Sequence, residues 1–258
     1  MGHERVGSLP RSKRWRRIVE QIHGSPQSDT IIANISGETL KNVRVRLDRI
    51  QTDPGVNAAF QFLVALSICA TSPQVTSDAS LPIDFKDNPS SLQITIFLRQ
   101  WVETHQSSLE YAEIAQSAAA DAIVKWTRRQ KVQGDIFSGE PSAAEVWNKA
   151  ASGAGFCEVA RLFFANFTER YLNYFLEREA SSVLPNIEDR ERFAIGIRNH
   201  INNISNHAFE TARITQSFAA GWYNKHARNR LPSQREIEGF LSIAFGKIRE
   251  ELLQEQIH

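Results

Sequence analysis

A chain of 258 residues that is 41% hydrophobic and 23% charged is long enough for one large domain or two small ones, and has the composition of a globular protein with a core. Lysine plus arginine, 30, nearly cancels aspartate plus glutamate, 29, so no whole-molecule field would hold it on nucleic acid or an anionic membrane; such a contact would need a local patch. The longest nearly uncharged apolar run, Val56 to Ala70, contains Asn57, Gln61 and Ser67 and falls short of the roughly 20 residues a bilayer crossing takes, so no membrane contact is expected.

The first residues are polar and basic, with no apolar run of signal-peptide length. Cys69 and Cys157 sit far apart in apolar helical patterns, which favours reduced, buried thiols and a cytoplasmic setting. After Pro10, a short amphipathic helix is predicted from Ser12 to His23, because Trp15, Ile18, Val19 and Ile22 recur at helical spacing. Arg11, Lys13, Arg14, Arg16 and Arg17 crowd its first turns. Cations at a helix N-terminus oppose the macrodipole by roughly 0.3–1 kcal/mol each, so they do not serve the helix itself. They are solvated or paired within the protein, or they meet phosphates or an acidic partner.

Gly24, Ser25 and Pro26 break that helix, and Asp29 to Ile50 is read as helix, although Val43 to Leu47 alternates as a strand would. Asp53, Pro54 and Gly55 signal a turn before the buried Val56 to Ala70 helix. Thr71 to Ser91, with Pro73, Pro82 and Pro89, reads as a long loop between two lobes. Ser90 and Ser91 cap a helix through Trp101 and Val102, and Ser107 or Ser108 caps an alanine-rich one running to Trp126. Small residues let helices approach closely, so the alanine-rich helix should be central. Pro141 is placed for the first turn of a helix through Val146 and Trp147, which Gly153 and Gly155 interrupt. From Phe156 to Phe175 the aromatic stripe is so wide that its helix must be buried on most sides. Pro232 and Ser233 then start a last helix carrying Ile237, Phe240, Leu241, Ala244, Ile248 and Leu252.

Between these, Glu188 to Trp222 repeats apolar or small residues at alternating steps of three and four: Ala194, Ile197, Ile201, Ile204, Ala208, Thr211, Thr215, Phe218 and Trp222. One position before the seam run His200, Asn203 and His207, followed by Glu210. Seven residues of helix separate the two histidines by about 10.5 Å, too far to share one zinc, and no cofactor or metal is expected. As an acid–base set, His200 and His207 would have the right intrinsic pKa, with Arg198 and Asn199 to contact an oxyanion or phosphate. The segment from Arg198, Asn199 and His200 through His207 resembles the arginine and histidine elements of HEPN-type ribonucleases, with a longer spacing between Arg198 and His207 than the family's motif has. That resemblance implies an all-helical, metal-independent ribonuclease with catalytic candidates Arg198, His200 and His207. A second candidate contact joins Trp222 and Tyr223 to Lys225, Arg228 and Arg230 near a helix end, where cations also simply suit the dipole.

No phosphate-binding glycine loop, Gly-x-Ser-x-Gly elbow, His-Glu-x-x-His or Cys-x-x-Cys occurs. The fold expected is all-α, an irregular multi-helix bundle with one long C-terminal spine helix. Its parts are 1–72 with the basic first helix, the proline-rich loop 73–91, and the main bundle 92–258. The function expected is a non-enzymatic interaction subunit of a protein complex, docking on a protein partner or on a like copy. The alternative is an RNA- or DNA-binding protein using the patches at 11–17 and 222–230, or a divergent HEPN-like ribonuclease using Arg198, His200 and His207.

Overall fold

A computed structural model describes residues 12–24, 28–71, 83–105, 111–132, 140–210, 218–228 and 230–254, with the side chains at 40, 42–49, 105, 207–210 and 254 outside the description. Among the described residues the chain is all-α, with ten helices and no strand. They are α1 (Lys13–His23), α2 (Asp29–Ile50), α3 (Pro54–Cys69), α4 (Ser91–His105), α5 (Ala112–Val132), α6 (Ala143–Ala150), α7 (Gly153–Val183), α8 (Ile187–Glu210), α9 (Phe218–His226) and α10 (Gln234–Gln254); a short 3-10 turn, Phe85–Asp87, precedes α4. The region around Val43 to Leu47 is helical, so its alternation did not decide its structure.

The helix with the widest set of neighbours is α7, which packs on α5, α8, α9, α1 and α6. Its aromatic stripe explains this, because Phe156, Phe163, Phe164, Phe167, Tyr171 and Phe175 are all buried and project around much of the helix. Phe60 of α3 is the hub of the resulting cluster: its ring stacks on Phe240 of α10 at 5.1 Å and meets Phe163 and Phe164 at 5.4 Å each. Tilted and edge-on ring pairs of this kind each add about 0.5–1.5 kcal/mol beyond their buried area. On the α8 side, Ile197, Ile201 and Ile204 are buried as the seam requires. The stretch 211–217, with Thr211 and Thr215 of the seam, lies outside the described residues, as do the Ala208 side chain and the proposed caps Ser107 and Ser108. Beyond it α9 packs on α7, with Trp222 and Tyr223 against Phe156.

Local chemistry sets most of the boundaries. Asp53 accepts from the backbone N–H groups of Gly55 and Val56, with Pro54 in the first turn, so the predicted turn signal is the start of α3 itself. Ser90 and Gln93 form a reciprocal cap for α4. Pro141 stands before the cap of α6 and not in its first turn, because Ser142 and Glu145 make the capping box. Gly153 and Gly155 belong to the first turn of α7, capped by Ser152; a Cβ at Gly155 would fall on the Lys149 carbonyl, so the α6–α7 corner needs that glycine. Asn88 adopts a left-handed φ of 46° and accepts from the Ala143 N–H at 2.7 Å, tying the end of the proline-rich loop to α6. Residues 72–82 of that loop lie outside the described residues. Core residues from both sides of the loop belong to one cluster, and Trp101 of α4 donates to the Ala58 carbonyl of α3 at 3.1 Å.

Phe60→Ala should cost about 3–5 kcal/mol of unfolding free energy, read as a shift of the urea midpoint without loss of helical circular dichroism. Gly55→Ala should also destabilise, because a Cβ there would lie 2.8 Å from Cα of Ala112 and press α3 off α5; equal midpoints for this variant and the parent would refute that packing.

Candidate functional site

Burial of Trp15, Ile18 and Ile22 docks α1 on α2 and α7, and the Trp15 indole donates to the Glu179 carboxylate at 2.7 Å. That anchor leaves Lys13, Arg14, Arg16 and Arg17 exposed, and none of the four has an ion pair among the described residues. Arg11 lies outside the described residues. Arg14 and Arg17 share a cleft of about 620 Å³ with Gln21 of α1 and with Asn34, Glu38 and Lys41 of α2. Lys41 is paired to Glu38 at 2.8 Å, so the strongest unneutralised charge at this cleft belongs to the two arginines.

Along α8 the sequence-derived candidates separate. Arg198 is two residues from His200, and side chains at that spacing point to different sides of a helix. Nine residues from Arg198, His207 is half a turn out of phase with it and about 13.5 Å along the axis; its side chain lies outside the described residues. His200 is half-buried, whereas Arg198 is exposed and donates to Glu169 of α7 at 2.8 Å, which raises its already high pKa. The structure therefore does not bring Arg198 and His200 together, and the residue that Arg198 meets is a carboxylate on another helix.

That carboxylate belongs to an open groove of about 710 Å³ between α5 and α7, closed on one side by Arg198. Polar residues recur every fourth position on α5, at Glu113, Ser117, Asp121 and Lys125, and the antiparallel α7 answers in register. Lys125 donates to Asn166 at 2.5 Å, and one turn along, Arg170 donates to Asp121 at 2.7 and 3.2 Å. Beyond these two rungs the groove is lined by Ser117 and Glu113 of α5 and by Tyr174 and Glu177 of α7. Each cation of the groove is thus engaged, while Glu113 and Glu177 have neither a hydrogen bond nor an ion pair among the described residues. Partial shielding from water pushes the Glu177 carboxyl up; the Arg170 charge opposes this and the Glu169 charge adds to it.

The third candidate surface is built differently from its expectation. Arg230 makes two hydrogen bonds to Glu236, at 2.5 and 2.8 Å, and His226 Nδ1 lies 2.7 Å from the same carboxylate. Glu236 also accepts from the Ser233 backbone and hydroxyl, completing the cap of α10. The Arg230 fork first, then the Ser233 N–H and His226, hold that carboxyl far below the usual carboxylate range. Lys225 and Arg228 remain exposed, but Trp222 and Tyr223 face the aromatic core, where burial pushes the Tyr223 hydroxyl up to about 12.

Among the described residues no group of three His, Cys, Asp or Glu is placed to hold a metal ion, and no helix is long and apolar enough to cross a membrane. Cys69 and Cys157 are free thiols. Comparison with protein-family models, with curated proteins and with solved structures finds no match. The groove carboxylates Glu113, Asp121, Glu169 and Glu177 were not singled out by sequence reasoning. The signal available for them was the four-residue polar period inside the alanine-rich helix.

Because the folded state raises the Glu177 pKa above its ordinary 4.5, its contribution to stability is fully present below pH 4.5 and is lost as pH rises through the folded value. Glu177→Gln should therefore give a small rise in Tm at pH 7 that closes as the pH falls below 4.5. A Tm difference independent of pH would show that the carboxyl is not shielded.

Proposed function

We propose that this chain is a non-enzymatic helical docking subunit whose helix α1 engages an acidic protein surface. The observation that carries this reading is the exposed ridge Lys13, Arg14, Arg16 and Arg17, four cations without an ion pair among the described residues on a helix anchored by a buried tryptophan. Their placement at the helix N-terminus opposes the macrodipole, and each long side chain would lose rotamer entropy on binding; a partner's carboxylates offset both. Anchoring through Trp15 supports the reading further, since a ridge already fixed in place has less ordering to do when the partner arrives. Near-neutral net charge favours a protein partner over the extended polyanion of a nucleic acid, for which a wider field would be expected.

The alternative, phosphate contact by the same ridge, rests on the cleft shared by Arg14, Arg17 and Lys41. Fluorescence anisotropy with a labelled oligo-glutamate peptide and a labelled single-stranded RNA, at two salt concentrations, separates the two. The docking reading expects peptide binding that an Arg14→Glu, Arg16→Glu, Arg17→Glu variant loses by about tenfold or more. RNA binding with a steep inverse salt dependence, lost in the same variant, would replace it with the nucleic-acid reading.

A further inference from the structure

We infer that the acidic partner of α1 is a second copy of this chain, with the Arg14–Arg17 ridge of one protomer seated in the α5/α7 groove of the next at Glu113 and Glu177; this rests on the docking role proposed for α1. The two surfaces are complementary in charge and in accounting. The ridge carries four cations without an ion pair among the described residues, and the groove carries two carboxylates in the same condition. Every cation inside the groove already has a hydrogen-bonded partner, Lys125 in Asn166, Arg170 in Asp121 and Arg198 in Glu169; the Arg170 charge acts on Glu177 without pairing it, so an ion-pair partner for Glu113 and Glu177 is left to a second molecule.

The ridge cannot supply it within one molecule. Trp15 holds α1 against the side of α7 that carries Glu179, while Glu177, two residues back, is about 200° around the same helix. The matching surfaces therefore lie on opposite sides of α7, which is the arrangement of a head-to-tail interface. Arg14 and Arg17, three apart on a helix, are neighbours about 5–6 Å apart at Cβ and present a paired set of donors to two carboxylates on facing helices. Between those carboxylates and the committed rungs, Ser117, Asn173 and the Tyr174 hydroxyl line the groove without a hydrogen-bond partner among the described residues, leaving further acceptors for the guanidinium N–H groups.

The test is sedimentation velocity of the full chain over a range of concentrations, with two charge-reversed variants, Arg14→Glu/Arg16→Glu/Arg17→Glu and Glu113→Lys/Glu177→Lys. The wild type should associate with concentration and dissociate with salt, and each variant alone should associate about tenfold or more weakly. An equimolar mixture of the two variants should not simply stay weak: the native ridge of one meets the native groove of the other, and the reversed ridge and reversed groove are again opposite in charge, so mixed assemblies should reappear. Circular dichroism confirms that both variants are folded, and Glu113→Gln/Glu177→Gln, which adds no new charge, should also weaken self-association. A wild type that stays monomeric, association that survives either reversal, or a mixture that does not pair would overturn the inference. Oligo-glutamate binding in a monomeric wild type would overturn only this choice of partner and leave the docking role standing.

Discussion

The constraint on which the molecule depends is that α7 must be covered along most of its surface. A helix carrying six buried aromatic side chains cannot leave any broad face in water, and the cost of doing so would be about 25 cal/mol for each Å² of apolar area. Helices α3, α5, α8, α9 and α10 therefore arrange themselves around this one stripe. Phe60 is where the coverage meets, since it touches aromatic rings from both α7 and α10. The alanines of α5, with Ala115, Ala118, Ala119 and Ala122 all buried, allow the closest of these approaches.

Close approach has a chemical by-product. Where α5 and α7 run side by side, their outer edges carry polar residues at the same four-residue period, and proximity turns those residues into rungs. Two rungs are complementary, and beyond them Glu113 and Glu177 line the groove with no ion pair among the described residues. The position of the basic ridge on the far side of α7 follows from the same covering requirement, because Trp15, Ile18 and Ile22 of α1 close part of the stripe and force the arginines outward. The core thus fixes where both charged surfaces stand, although neither contributes to the core.

Much of this architecture was legible in the residues. The aromatic stripe, the alanine-rich helix, the isoleucine seam of α8 and the amphipathic first helix each follow one helical period, and periodicity is what burial selects. The ambiguous segment near Val43 resolved as helix because it continues a 22-residue element whose ends suit no strand. What could not be read was pairing between distant positions. Nothing in a one-dimensional pattern says that Lys125 will meet Asn166 or that Arg198 will meet Glu169. The histidine stripe attracted notice through residue type, yet helical phase turns Arg198 away from it and toward Glu169, a carboxylate 29 residues earlier in the chain. The basic stretch ending in Arg230 likewise looked like an open patch because Glu236, which captures that arginine, comes after a proline corner.

Glu236 has a further implication for how the molecule comes apart. One carboxylate gathers Arg230, His226 and the cap of α10, so the junction between α9 and α10 is a clasp with a single latch. Its depressed pKa means that the latch holds above the ordinary carboxylate range and is released as acid titrates it in the folded state. Because that pKa is so far depressed, the clasp should stay closed as the pH falls through the ordinary carboxylate range, and amide exchange at the start of α10 should quicken only in stronger acid.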